Sequence, residues 1–166
     1  MTVADEHIAH HKHVQALYEQ KLADVPGMKI HSQPSDGRHD SNYWLCTLTL
    51  DENLRVKGQE NSYKTVVSGA VGGAAGVIHQ SDSATTDCQP NDNVEALRIV
   101  LDNAGIEARP LWKPMHRQPV YKDAPAYVNG ISEHFFKCGI CLPSGPYVTD
   151  SHIDYIVKSI KESIIN

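Results

Sequence analysis

The segment RPLWKPMHRQP, residues 109–119, constrains this chain more than any other stretch of its sequence. Pro110, Pro114 and Pro119 each fix a backbone angle, and each also restricts the residue before it. The side chains between these prolines are therefore held in place before a ligand arrives, which lowers the ordering cost of binding. The pattern predicts a rigid loop rather than a flexible connection.

The side chains of this loop suit the binding of an anion or a sugar. Arg109, Lys113 and Arg117 can pair with phosphate or carboxylate, and His116 can donate or accept a hydrogen bond near neutral pH. Trp112 offers a flat apolar wall for a sugar or a base. Composition alone leaves a second interpretation open, in which the loop is a rigid surface connector.

The composition limits the size, location and partners of the protein. A chain of 166 residues is long enough for one domain, which buries roughly 70% of its unfolded surface on folding. Its 15 basic and 20 acidic residues give a formal charge of -5, which argues against a nucleic-acid partner because such a partner needs clustered positive charge. No apolar run approaches the roughly 20 residues of a membrane helix, and the N-terminus has no signal-like stretch. We therefore expect a cytoplasmic protein without a membrane partner.

Metal, thiol and phosphate-loop motifs are incomplete in this sequence. The four cysteines are too few and too unevenly spaced for a disulfide scaffold, so we expect free thiols and no metal. Cys138 and Cys141 nevertheless have C-x-x-C spacing, and His7 and His11 lie one helical turn apart, which keeps a metal site open as an alternative. The stretch VVSGAVGGAAGVIH, residues 66–79, has neither of the usual phosphate-loop spacings.

Apolar periodicity and capping residues predict four helices. They run from Ile8 to Ala23, from Asn91 or Asp92 to Gly105, from Ser132 to Gly139, and onward from Thr149 as the N-cap. The core face of the last helix is predicted to carry Ile153, Ile156, Val157, Ile160 and Ile164.

Short strands are predicted between these helices, at residues 28–31, 43–50, 106–111 and 140–142. Alternation places the side chains of the second strand on one face, namely Trp44, Cys46, Leu48 and Leu50. Residues 51–90 are interpreted as a Gly/Ala-rich insertion with some strand content. The fold class is α/β, an α+β two-layer sandwich with helices packed on a small mixed sheet.

Three stretches of the chain resemble, in order, the C-terminal small domain of the DegT/DnrJ/EryC1/StrS family of sugar aminotransferases. The opening helix and strand, HHKHVQALYEQKLADVPGMKI and SNYWLCTLTL, come first, and GIEARPLWKPMHRQPVYKDAP and CLPSGPYVTDSHIDYIVKSIK follow. The resemblance implies an aminotransferase small domain of the aspartate-aminotransferase superfamily, fold type I. It spans residues 1–166, with the insertion at about 51–90.

The resemblance also implies an activity and a site. Members of this family use pyridoxal phosphate to move an amino group from glutamate to a keto-sugar nucleotide, for polysaccharide or glycan synthesis. A large domain holds the cofactor, and the small domain closes over the nucleotide sugar at a homodimer interface. On the matching loop, substrate-binding roles are implied for Arg109, Trp112, Lys113, Met115, His116 and Gln118.

The chain departs from the family pattern in one respect. No lysine lies in a stretch that resembles the family's Schiff-base segment, so no catalytic residue is predicted. Pyridoxal phosphate is expected in the complete enzyme and not on this chain alone. We interpret the chain as a fragment or split-gene product that is inactive without a large domain. The alternative is a non-catalytic sugar-nucleotide-binding or interaction module derived from the family.

Overall fold

The computed structural model describes residues 2–63 and 88–165. The described chain contains four α-helices, namely α1 (Thr2–Leu22), α2 (Asp92–Asn103), α3 (Ile131–Cys138) and α4 (Asp150–Ser163). Six strands accompany them, namely β1 (Met28–Ile30), β2 (Cys46–Leu50), β3 (Arg55–Val56), β4 (Arg109–Pro110), β5 (Gly139–Leu142) and β6 (Ile164–Ile165). Most of the predicted insertion, including the glycine-rich stretch 66–79, lies outside the described residues.

The central sheet has the strand order β1-β2-β5-β4. Leu48 lies opposite Ile30 on one side and Ile140 on the other, and every neighbouring pair of strands is antiparallel. The prediction of a mixed sheet was therefore wrong. β1 and β2 are joined by a loop without a crossover helix, which suits an antiparallel pair. β5 lies between β2 and β4 and runs antiparallel to both.

The second strand shows how the sequence pattern forms the sheet. Cys46, Leu48 and Leu50 are buried and alternate with half-buried threonines, as predicted. Trp44, predicted on the same face, is 66% exposed. The strand begins only at Cys46, because Tyr43 adopts a left-handed backbone conformation, with φ of 45°, that interrupts an extended chain.

Three helices and the central sheet enclose the core. α1 contacts β1 and β2, α2 contacts β4 and β5, and α4 packs against both helices. The core includes Val14, Tyr18 and Leu22 of α1, Leu97 and Leu101 of α2, and Ile153, Ile156 and Ile160 of α4. α3 packs on β2 and β5, but its buried Phe136 and Cys138 are not part of this core cluster. The architecture is the expected two-layer sandwich.

Local capping explains the boundaries of the last helix. The hydroxyl of Thr149 accepts a hydrogen bond from the His152 backbone N–H, and the His152 ring accepts one from the Thr149 N–H, so both ends of the capping box are made. Ile164, predicted on the core face of this helix, instead begins β6 and pairs with Val56. The helix ends one residue earlier because its backbone becomes extended at that position.

Two other predicted boundaries were wrong. α1 begins at Thr2 rather than Ile8, since its exposed first turns carry no apolar periodicity. The strand predicted over residues 106–111 is reduced to Arg109–Pro110, because a proline cannot donate to a sheet ladder and the next proline follows at position 114. No helix in residues 2–63 and 88–165 is long and apolar enough to cross a membrane.

Candidate functional site

The proline-rich loop is attached to the edge of the central sheet. Arg109 lies opposite Cys141, and Pro110 lies opposite Ile140, in the β4–β5 pair. The backbone N–H of Leu111 extends this pairing by donating to the Gly139 carbonyl at 3.2 Å. The loop therefore leaves the sheet at a defined point and in a defined direction.

Two short 3-10 turns shape the loop beyond the sheet. The first, Met115–Arg117, follows a buried Pro114 whose carbonyl accepts from the Arg117 N–H at 2.9 Å. The second has Pro119 as its first residue, and it is closed by the Tyr121 N–H donating to the Gln118 carbonyl at 3.0 Å. The rigid loop predicted from the prolines is thus a pair of consecutive tight turns.

Gln118 closes the first turn with its side chain. Its Nε2 donates to the Lys113 carbonyl at 3.0 Å and lies 3.7 Å from the sulfur of Met115. Gln118 therefore contacts two other predicted substrate-binding residues, Lys113 and Met115. In this structure the amide nitrogen of Gln118 acts inside the loop.

The carboxylate of Glu133, in the first turn of α3, connects the loop to that helix. One of its oxygens, Oε1, lies 2.7 Å from His116 Nε2 and 3.0 Å from Arg117 Nε. The other, Oε2, accepts from Arg117 Nη2 at 3.0 Å. Hydrogen bonds from Arg117 and then His116 lower the pKa of Glu133 from its ordinary 4.5 to about 2. Sequence reasoning missed Glu133, because no local pattern links it to the loop.

The three cations of the loop differ in what they contact. Arg109 donates from Nε to Glu107 at 2.8 Å, and Arg117 is engaged by Glu133. Lys113 is half-buried and makes no ion pair with any residue of 2–63 or 88–165. Among the residues that the structure describes, Lys113 is therefore the loop cation whose charge no carboxylate offsets.

Two large apolar side chains of the loop are exposed to solvent. The Trp112 side chain is 67% exposed, and Met115 is also exposed. An exposed tryptophan beside an unpaired lysine can contact the flat face of a ring while the ammonium group binds an anion. The structure thus brings Lys113, Met115 and Gln118 together, ties His116 to α3, and turns Arg109 towards Glu107.

The thiols do not form the site that C-x-x-C spacing suggested. All four cysteines are free and buried, and burial raises the pKa of Cys141 to about 11. Cys138 Sγ lies 3.7 Å from His134 Nε2 and lines a cleft of about 490 Å³ that no residue of the 109–119 loop borders. In the part of the chain that the structure covers, no three His, Cys, Asp or Glu side chains are grouped to hold a metal.

The lysines bear on whether this chain could hold pyridoxal phosphate covalently. A Schiff-base lysine is activated in a desolvated pocket. No lysine is buried in either described range, and Lys12, Lys21 and Lys161 pair with surface aspartates. The described residues therefore do not fit the covalent site of this cofactor.

Comparison with known proteins identifies relatives along most of the chain. Residues 59–161 match the family model described as the DegT/DnrJ/EryC1/StrS aminotransferase family. EpsN of Bacillus subtilis, named as a pyridoxal phosphate-dependent aminotransferase, is 29% identical over 95% of this chain and 31% of its own. GDP-perosamine synthase of Caulobacter vibrioides is 27% identical over 97% of this chain and 33% of its own.

Solved structures show the same fold. The aminotransferase TlmJ from Streptoalloteichus hindustanus superimposes with a TM-score of 0.64 at 16% identity, over 97% of this chain and 32% of that one. A DegT DnrJ EryC1 StrS aminotransferase from Brucella abortus superimposes with a TM-score of 0.62 at 18% identity, over 97% of this chain and 32% of that one. The chain spans about a third of the length of the relatives it matches.

Proposed function

Because the chain belongs to the DegT/DnrJ/EryC1/StrS aminotransferase family, we propose that it forms the small domain of a sugar-nucleotide aminotransferase. The complete enzyme uses pyridoxal phosphate to transfer an amino group from glutamate to a keto-sugar nucleotide, in the cytoplasm, for surface polysaccharide or glycan synthesis. This chain contributes the loop that contacts the nucleotide sugar. It acts with a large domain, or with a homodimer partner, that carries the cofactor.

The observation that supports this role is the loop on the sheet edge. It presents an exposed Trp112, a Lys113 without an ion pair in residues 2–63 and 88–165, and a His116 held by Glu133. A nucleotide sugar has a diphosphate for the ammonium group, hydroxyls for the imidazole and flat rings for the indole. The name of one relative, GDP-perosamine synthase, refers to a sugar of this kind.

The absence of a buried lysine from residues 2–63 and 88–165 supports a division of labour. Amino transfer needs a Schiff-base lysine, so the proposal assigns that lysine to the large domain. The 166-residue chain alone then catalyses no transamination. Amino transfer from glutamate by the chain alone, supplied with pyridoxal phosphate, would contradict this part of the proposal.

The sugar-nucleotide role predicts a specific effect at Lys113. Replacing its ammonium group in Lys113→Gln should weaken binding of GDP-mannose by about tenfold, because a charge-assisted hydrogen bond to phosphate is lost. Isothermal titration of the chain with GDP-mannose, TDP-glucose and UDP-N-acetylglucosamine measures this effect. If the wild-type chain binds none of the three, the proposed role of the loop is wrong.

A matched control separates a local contact from a general charge effect. Lys158 on α4 is exposed and lies 3.8 Å from Glu162, so Lys158→Gln removes the same charge away from the loop. It should leave the affinity within about twofold of wild type, since exposed charges are screened. Equal losses in both variants would indicate nonspecific attraction.

The second candidate is a non-catalytic module that kept the fold and lost the chemistry. One observation favours it, namely that α1, α2, α4 and the central sheet already enclose a common core. A module of this kind could bind a sugar nucleotide or a partner without a cofactor-bearing domain. The exposed apolar surface of the chain distinguishes the two candidates, because only an incomplete aminotransferase has a missing neighbour to cover it.

A further inference from the structure

We infer that Glu133 is a positioning residue, which fixes the imidazole of His116 so that Nδ1 is the ring nitrogen presented to a ligand. The inference deepens the proposed function and rests on it for the identity of the ligand. Nδ1 of His116 then accepts a hydrogen bond from a hydroxyl group, such as a sugar hydroxyl, and does not donate one to phosphate.

The contact with Glu133 determines which ring nitrogen of His116 carries the proton. An ionised carboxylate only accepts hydrogen bonds, and Arg117 keeps Glu133 ionised far below neutral pH. The short distance of 2.7 Å from His116 Nε2 to Oε1 therefore requires a proton on Nε2. In the neutral imidazole, one nitrogen donates and the other accepts, so Nδ1 carries the lone pair.

The other ring nitrogen of His116, Nδ1, is the one that a ligand can contact. Within residues 2–63 and 88–165, Nδ1 of His116 makes no hydrogen bond, and the His116 side chain is 18% exposed. Its orientation is fixed by Glu133, and its backbone belongs to the first 3-10 turn. A lone pair held in this way accepts a hydrogen bond from a hydroxyl group and does not bind an unprotonated phosphate oxygen.

The carboxylate of Glu133 also fixes Arg117. Glu133 binds its Nε and its Nη2 through two different oxygens, a bidentate geometry that fixes the guanidinium plane. Glu133 therefore withdraws two donors of Arg117 from ligand binding, whereas Lys113 makes no ion pair within the described part of the chain. The arrangement separates a hydroxyl-binding position at His116 from an anion-binding position at Lys113.

The effect on the ring can be measured in the chain without any ligand. In chain labelled with ¹⁵N-histidine, the ring nitrogen shifts of His116 at about pH 8 should show Nε2 protonated and Nδ1 unprotonated. The Nε2 proton should exchange with water at least about tenfold faster in Glu133→Ala, and at an intermediate rate in Glu133→Gln, which keeps a carbonyl acceptor. A protonated Nδ1 in the wild-type chain, or equal exchange in Glu133→Ala, would overturn the inference.

The contact with ligand is tested by two variants that each keep one polar position. Asparagine carries its amide atoms on Cγ, where Nδ1 is attached, whereas glutamine extends them towards the place of Nε2. His116→Gln should therefore weaken GDP-mannose binding by about tenfold, and His116→Asn by only about threefold. The reverse order would show that ligand contacts Nε2 and would overturn the inference.

Two measurements distinguish an unfolded variant, a failure of the proposed function and a failure of the positioning role of Glu133. Urea unfolding of each variant shows whether it is folded, and affinities are compared only between folded proteins. If the wild-type chain binds no nucleotide sugar, the proposed function and the ligand contact both fail. The ring proton measurement still decides whether Glu133 positions His116.

Discussion

At the scale of single residues, the charge of Glu133 couples the loop to α3. Arg117 and His116 hold this carboxyl deprotonated in the folded chain, where its pKa is about 2 against an ordinary 4.5. Unfolding separates the three side chains, so the unfolded chain binds a proton at a higher pH. The stabilisation is therefore complete above pH 4.5 and is lost as the pH falls towards 2.

We predict that Glu133→Gln removes this pH dependence. The difference in free energy of unfolding between wild type and variant should be largest at about pH 7 and should shrink at about pH 3, because the carboxyl is by then protonated in the unfolded wild-type chain. Urea unfolding at these pH values and at about pH 5 measures the difference. Other carboxyl groups titrate in both proteins and cancel. A difference that stays constant with pH would show that the ion pair does not stabilise the fold.

At the scale of elements, the junction between α3 and β5 determines where the loop attaches. Gly139 begins β5 and has an ordinary extended backbone, with φ of -104°. A Cβ at this position would lie 2.5 Å from the Phe135 carbonyl oxygen and even closer to the side chain of Leu111. Glycine is required here because the loop and the helix both approach the strand closely.

Gly139→Ala should accordingly destabilise the chain by about 1–3 kcal/mol, the usual range for overpacking. It should also displace Leu111, and with it the neighbouring Trp112, which the indole N–H resonance can report. Gly145→Ala is the matched control, because a Cβ there meets nothing within 4 Å. Urea midpoints that are equal for the two variants would contradict the steric argument.

The helices and strands differ in how far they were predictable from the sequence. α2, and α4 apart from Ile164, were predicted correctly, because a cap and a periodic apolar face are local signals, as at Thr149. Strand direction was not, because the partners of β2 and β5, such as Thr47 and Cys141, are far apart in sequence. The loop was found through its prolines and its resemblance to a family. Glu133 was missed because it lies 16 and 17 positions from its partners.

At the scale of the whole molecule, apolar side chains remain outside a complete core. From the end of the loop to the first residue of α3, Val120, Tyr127, Val128 and Ile131 are all exposed, and Tyr127 is fully so. An exposed apolar segment in a monomer is typical of a surface that contacts another part of a protein. Under the proposed function, this segment faces the large domain or the homodimer partner. A free-standing module has no such neighbour.

We predict that the isolated chain binds the dye 1-anilinonaphthalene-8-sulfonate strongly through this segment. The triple variant Val120→Ser, Tyr127→Ser, Val128→Ser should lose most of the dye fluorescence, because it removes exposed apolar area without altering the core. Tyr147→Ser, at a residue 90% exposed outside this segment, is the control and should lose little. Strong binding that the triple variant abolishes supports an incomplete aminotransferase, whereas weak binding by the wild-type chain favours the non-catalytic module.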